Sequence, residues 1–117
     1  MYKRQDSVSL TGALFGSTID FGSGDESFTL AVDSTNSTII GGDGNDTLIF
    51  SSTLTVSSVS GGDGNDLLNF AQIVALGNTI DAGAGNDTLL FSTTVSAALI
   101  FGQSGNCLLY TSPSPRD

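Results

Sequence analysis

One ten-residue phrase, repeated at a nearly constant interval, limits what this chain can fold into more than any other feature. Gly41-Gly42-Asp43-Gly44-Asn45-Asp46-Thr47-Leu48-Ile49-Phe50 returns 20 residues later as Gly61-Gly62-Asp63-Gly64-Asn65-Asp66-Leu67-Leu68-Asn69-Phe70, changed at two positions. A third copy, Ala82-Gly83-Ala84-Gly85-Asn86-Asp87-Thr88-Leu89-Leu90-Phe91, follows after 21. A more divergent copy precedes them, Phe21-Gly22-Ser23-Gly24-Asp25-Glu26-Ser27-Phe28-Thr29-Leu30. A fixed period of this length marks repeated units that bury their apolar sides only by stacking on one another.

The period reaches beyond the glycines. The residue two before each copy is Ile19, Ile39, Val59, Ile80 and Ile100. The eighth position holds Phe28, Leu48, Leu68 and Leu89, and the tenth Leu30, Phe50, Phe70 and Phe91. Eighth and tenth positions fall on one side of an extended chain, since side chains alternate with period two. The spacing therefore predicts an all-β fold, a parallel β-roll or β-helix solenoid of about 20 residues per coil in roughly five stacked coils. Each coil should supply a strand ending near the Ile or Val, a Gly-rich turn, and a second strand with its eighth and tenth positions inward. The other half of the coil, as in Ser51-Ser52-Thr53-Leu54-Thr55-Val56, is strand-compatible and lacks helical patterning. The extra residue of the longer interval should lie within 71–79, where Leu76-Gly77-Asn78 reads as a longer turn.

Charge is distributed unevenly. The chain has 12 acids, three bases and a formal charge of -9, yet Lys3, Arg4 and Arg116 all sit at the ends. Residues 6–106 contain no Lys, Arg, His, Cys, Met, Trp, Tyr or Pro. Residues 1–5 and 107–117 resemble translated sequencing-library adapters, which implies a native segment of 6–106 cut inside a repeat at each end. Asp6–Leu10 fits positions six to ten of an earlier copy and Gly102–Asn106 positions one to five of a later one, with Cys107 where an Asp belongs. Remaining repeats of one parent chain are expected on both sides. Without its ends the chain keeps 11 acids and no base, a net charge of -11. Such a chain repels phosphate, which argues against nucleic acid and anionic membrane, and it attracts cations. No run approaches a membrane span.

Position by position, the motif points to a cation. Gly22/Gly24, Gly42/Gly44, Gly62/Gly64 and Gly83/Gly85 keep glycine at positions two and four, as a turn with positive φ and close backbone approach requires. Such a turn is expected to aim carbonyl oxygens inward without ladder partners. Position six carries Glu26, Asp46, Asp66 and Asp87. Stacking sets these carboxylates about 4.8 Å apart, where they repel unless a cation lies between them. Carbonyls and carboxylates together are the oxygen ligands that Ca²⁺ selects. Asn45, Asn65 and Asn86 at position five should favour a left-handed turn and stack as a ladder, without ligating.

These residues resemble the RTX, or haemolysin-type calcium-binding, repeats of secreted bacterial proteins, whose nonapeptide is Gly-Gly-x-Gly-x-Asp-x-U-x with U a large apolar residue. Gly41–Ile49 and Gly61–Asn69 match every specified position. Ala82–Leu90 departs at position one, and Phe21–Thr29 departs there and at Glu26. The resemblance implies Ca²⁺ between successive turns, with best sites between 41–46 and 61–66 and between 61–66 and 82–87. Its implied ligands are the position-six carboxylates and the carbonyls of Gly41, Gly42, Asp43, Gly44, Gly61, Gly62, Asp63, Gly64, Ala82, Gly83, Ala84 and Gly85. Gly22, Gly24 and Glu26 would form a weaker site. It further implies a secreted, extracellular, non-catalytic module that folds when extracellular Ca²⁺ binds. Family repeats often recur every nine residues and place a Gly-Asp turn on both edges. These recur every 20 or 21, and the opposite turns, such as Ser51–Thr55, lack the acids, so a single row of ions is expected.

Other chemistries fit poorly. An EF-hand loop starting at Asp43 would need Glu where Leu54 stands. A phosphate-binding loop would need a Lys after its glycines. A glycosidase pair would have to come from Asp20, Asp33 and Asp81, which nothing brings together in sequence. A metal-independent β-solenoid spacer or adhesin stalk, and a non-catalytic part of a secreted hydrolase, remain as alternatives.

Overall fold

A computed structural model describes residues 7–10, 12–71, 77–92, 99–102, 105 and 107–111. Every element in it is a strand, and every pairing is parallel. The longest sheet stacks β1 (Ser7–Leu10), β4 (Ser27–Leu30), β7 (Thr47–Phe50), β10 (Leu67–Phe70), β12 (Asp87–Phe91) and β14 (Cys107–Thr111) in that order. A second stacks β3 (Thr18–Asp20), β6 (Thr38–Asp43), β9 (Ser58–Asp63), β11 (Thr79–Ala84) and β13 (Leu99–Phe101). The third holds the two-residue strands β2 (Leu14–Phe15), β5 (Ser34–Thr35) and β8 (Leu54–Thr55). The chain is a three-sided β-solenoid with one repeat per coil.

The register follows the sequence ruler. Leu48 pairs with Phe28 and with Leu68, and Leu68 with Leu89. Leu30, Phe50, Phe70 and Phe91 form the adjacent column. Both columns are buried, together with Ile39, Val59 and Ile80 from the second sheet and Leu54 from the third. Phe50, Phe70 and Phe91 stack face to face with centroids 4.9 and 5.0 Å apart, close to the strand repeat itself. Phe28 meets Phe50 edge-on at 6.1 Å. Each buried Leu or Phe contributes about 1.5–3 kcal/mol, so the core is a continuous rod that no single coil could supply.

Val8 and Leu10 pair with Phe28 and Leu30, in the apolar register expected of them. Cys107 pairs with Asp87, the ladder place of a position-six residue. Residues 1–5 and 112–117 lie outside the described residues. The stretch 72–76, where part of the longer turn was expected, does too. Val56 and Gly77 share the left-handed corner of successive coils, 21 residues apart.

Two features depart from expectation. The second-sheet strands do not end near Ile39 or Val59; β6 and β9 run on through both glycines to Asp43 and Asp63, and β11 runs to Ala84. Identical backbone in successive coils lets a parallel ladder continue through glycine, despite its poor strand propensity. The corner opposite the motif is also not Ser51–Thr55, since Leu54–Thr55 is a strand. That corner lies at Gly16, Asn36, Val56 and Gly77, all with φ between 48° and 79°. Just inside it, Ser37, Ser57 and Asn78 are buried. Their side-chain oxygens accept the amides of the preceding coil: Ser17 N–H donates to Ser37 Oγ at 3.3 Å, Ser37 N–H to Ser57 Oγ at 3.4 Å, and Ser57 N–H to Asn78 Oδ1 at 2.7 Å. Neutral oxygens thus satisfy that corner's amides.

Candidate metal centre

The Gly-rich turn brings backbone against backbone. Gly42 and Gly44 have φ of 111° and 135°, and Gly62 and Gly64 repeat these values within a few degrees, at 115° and 134°. A Cβ on Gly42 would overlap the Gly22 carbonyl oxygen, and one on Gly64 the Gly44 carbonyl oxygen. This contact explains why positions two and four stay glycine. The turn carbonyls do have ladder partners, contrary to expectation. Asp43 N–H donates to Gly22 O at 2.8 Å, and Gly24, Gly44 and Gly64 N–H donate to Asp43, Asp63 and Ala84 O at 2.7–2.8 Å. The ladder engages one lone pair of each oxygen and leaves the second.

Position six is where polar chemistry is left incomplete. Asp46, Asp66 and Asp87 are each at most 2 % exposed. One carboxylate oxygen of each points to the coil before: Asp46 Oδ1 accepts Glu26 N–H at 2.8 Å, Asp66 Oδ1 accepts Asp46 N–H at 2.8 Å, and Asp87 Oδ1 accepts Asp66 N–H at 2.9 Å. The other oxygen of each, Oδ2, is buried without a hydrogen-bond partner. Asp46 Oδ2 and the carbonyl oxygen of Gly61 converge beside the Cα of Gly41, where a Cβ would collide with the first and lie 2.5 Å from the second. Asp66 Oδ2 and Ala82 O converge in the same way beside Gly61. Each of these two Oδ2 atoms thus approaches the same point as a carbonyl oxygen of the next coil and has no hydrogen-bond partner.

Electrostatics reflects that arrangement. Burial pushes the Asp66 carboxyl up to about 7; the Asp46 amide opposes this, and the charges of Asp46, Asp87 and Asp63 reinforce it. Asp46 is raised by burial, opposed by the Glu26 amide and reinforced by Asp25. Asp87 is raised by burial, opposed by the Asp66 amide and reinforced by Asp81. Among the described residues there is no Lys, Arg or His to offset these carboxylates. Buried Oδ2 atoms, carbonyls of the next coil and a cradle left open by glycine suit a hard divalent cation with oxygen ligands. Among the described residues no three Asp, Glu, Cys or His side chains gather in one place. Backbone oxygens would therefore supply most of the ligands of a Ca²⁺ ion.

The position-five residues act differently from expectation. Asn45, Asn65 and Asn86 do not take positive φ; among described non-glycine residues Asn36 and Val56 do. A ladder does form, through the backbone: Asn45 N–H donates to Asp25 Oδ1, Asn65 N–H to Asn45 Oδ1 and Asn86 N–H to Asn65 Oδ1, each at 2.8 Å. This column leans on the coil before, whereas the aspartate column lends its oxygens to the coil before. Asp43 and Asp63 pair in register on the exposed rim, and Asp20 and Asp81 accept the Gly22 and Gly83 amides at 3.0 Å. The buried Ser37, Ser57 and Asn78 gave no sequence signal beyond lying one residue after the left-handed corner.

Comparison with curated proteins and with solved structures gave no match. The family model for the RTX calcium-binding nonapeptide repeat matches in four copies, over residues 29–52, 58–71 and 77–91. Those matches contain Asp46, Asp66 and Asp87 and the turns that present them. Across residues 29–91 the chain belongs to the RTX calcium-binding nonapeptide repeat family.

Proposed function

We propose that this chain is a calcium-dependent folding module of a secreted bacterial protein, with ions held between Gly-rich turns of successive coils. The observation that carries the reading is the pair of buried, unpartnered oxygens, Asp46 Oδ2 and Asp66 Oδ2, each facing the position-one carbonyl of the next coil. Asp46 with Gly61 O, and Asp66 with Ala82 O, would hold the ions, and the free lone pairs of the turn carbonyls would complete the shell. The ion supplies positive charge and oxygen coordination. The chain supplies a turn whose glycines admit close approach and amides that fix each carboxylate by its other oxygen.

Regulation follows from charge. At low calcium the acidic row repels itself, burial of each carboxylate is unfavourable, and the chain stays expanded. At extracellular calcium the ions dock one coil on the next, so binding energy becomes folding energy. Sites of Kd about 10⁻⁴–10⁻³ M in 10 mM calcium would contribute roughly 1.4–2.7 kcal/mol each. The buried acids among the described residues, Glu26, Asp46, Asp66 and Asp87, all lie in this row, which supports a non-catalytic role.

Far-UV circular dichroism tests the proposal. Strand signal should rise when millimolar calcium replaces chelator, and an identical spectrum in chelator overturns it. The continuous Leu and Phe core favours one rival, a metal-independent spacer; that rival requires Asp46→Ala with Asp66→Ala to leave thermal stability in calcium unchanged.

A further inference from the structure

Motif position one varies along the row as Phe21, Gly41, Gly61, Ala82 and Gly102. Its side-chain direction is the direction of the ion cradle. At Gly41 a Cβ would collide with Asp46 Oδ2 and lie 2.5 Å from Gly61 O; at Gly61 it would collide with Asp66 Oδ2 and lie 2.5 Å from Ala82 O. Ala82 carries that carbon. Its strand is in register with that of Gly61, since Asp81 pairs with Ser60 and Gly83 with Gly62. Its methyl group is fully buried, at 0 % exposure. In its own coil the methyl takes the place that Gly41 and Gly61 leave without a carbon in the two preceding coils. Phe21 carries a Cβ at the same place in the first copy, and its ring packs on Phe28 at 5.2 Å.

A methyl carbon offers no lone pair, and it holds oxygens beyond the 2.3–2.6 Å that calcium requires. We propose that position one gates each cradle: those of Gly41 and Gly61 admit a divalent cation, and the Ala82 methyl closes the cradle of Asp87. The inference rests on the calcium reading above and adds to it which copies are loaded. Motif completeness at position six therefore overstates the number of ions, because Asp87 is present and its cradle is shut.

Counting ions on the full chain tests this, by equilibrium dialysis against calcium alone and by terbium luminescence titration. The wild type should bind one ion at each of the two glycine cradles and none at the third. Ala82→Gly should bind one ion more, and Gly41→Ala one fewer, with far-UV spectra in calcium reporting that each variant is folded. A wild-type count that includes a third cradle, or a folded Ala82→Gly variant with no gain, overturns the gate. The wild-type count needs no variant to fold. A wild type that binds no calcium overturns the calcium reading itself, whereas a wild type that binds its pair beside an unchanged Ala82→Gly overturns the gate alone.

Discussion

Replacing Asp66 with Asn separates the structural and the ionic duties of one carboxylate. Asp66 Oδ1 accepts the Asp46 amide at 2.8 Å, and an Asn oxygen can keep that bond. Asp66 Oδ2 is buried without a partner and shares its space with the Ala82 carbonyl oxygen. An Asn Nδ2 placed there donates to that carbonyl and carries no charge. Burial lifts the wild-type carboxyl from 3.8 to about 7, so above neutral pH the metal-free fold must hold an unfavourable charge. A shift of this size corresponds to an upper bound of about 4 kcal/mol, and solvent screening at a turn one side chain deep reduces it to roughly 1–3 kcal/mol. The folded pKa lies above the unfolded one, so the protonated fold is favoured below about pH 4 and that advantage is lost as pH rises through about 7. In chelator at pH 8, Asp66→Asn should therefore be more stable than wild type by about 1–3 kcal/mol, and the gain should vanish near pH 4. Osmolyte-driven folding followed by circular dichroism reads the difference even where neither chain is folded in buffer. In millimolar calcium the order should invert, because the Asn amide cannot ligate through its nitrogen. A metal-free Asp66→Asn chain less stable than wild type at pH 8, or a difference independent of pH, refutes the reasoning.

Two further outcomes follow from the backbone. Val56 holds φ 48° with its side chain 51 % exposed, while Gly16, Asn36 and Gly77 occupy the same corner in other coils; Val56→Asn should stabilise by about 1 kcal/mol in urea unfolding, since a β-branched residue is strained there. Gly62→Ala puts a Cβ on the Gly42 carbonyl oxygen at φ 115°, and should cost about 3 kcal/mol or more in the calcium-loaded melt, a loss that added calcium does not recover.

The columns of the core were legible because period and alternation act together: Leu48, Leu68 and Leu89 can stack only if each coil repeats its register, and they do. Gly42 and Gly44 were legible for the same reason, since only glycine tolerates both the φ and the neighbouring carbonyl. What stayed hidden depends on contacts between coils. Asn45 looks like a left-handed turn residue, yet its oxygen is taken by the Asn65 amide 20 positions on, and the left-handed corner falls to Val56, which carries no such signal. The two-residue strand Leu54–Thr55 is too short to announce a third side. In the turn, the motif revealed the acids, but not that Asp66 uses one oxygen for the coil before and leaves the other toward the coil after.

That division of labour decides how the row behaves as a whole. Asp66 accepts an amide from the coil of Asp46 and faces a carbonyl in the coil of Ala82, so three successive coils meet at one carboxylate. The same charge feels Asp46 and Asp87, each of which disfavours its ionised form. A cation bound beside Asp46, as proposed, would remove part of that repulsion and fix the coil whose amide orients Asp66, so that the next cradle would be prepared before its own ion arrives. Coupling of this kind passes only between neighbours, as in any linear stack of repeats. If side chains at position one close a cradle as proposed, Phe21 and Ala82 bound the row on either side, and cooperative loading within these coils would extend over the Gly41 and Gly61 cradles and no further. A steeper calcium dependence than a coupled pair allows would have to draw on ligands outside this row.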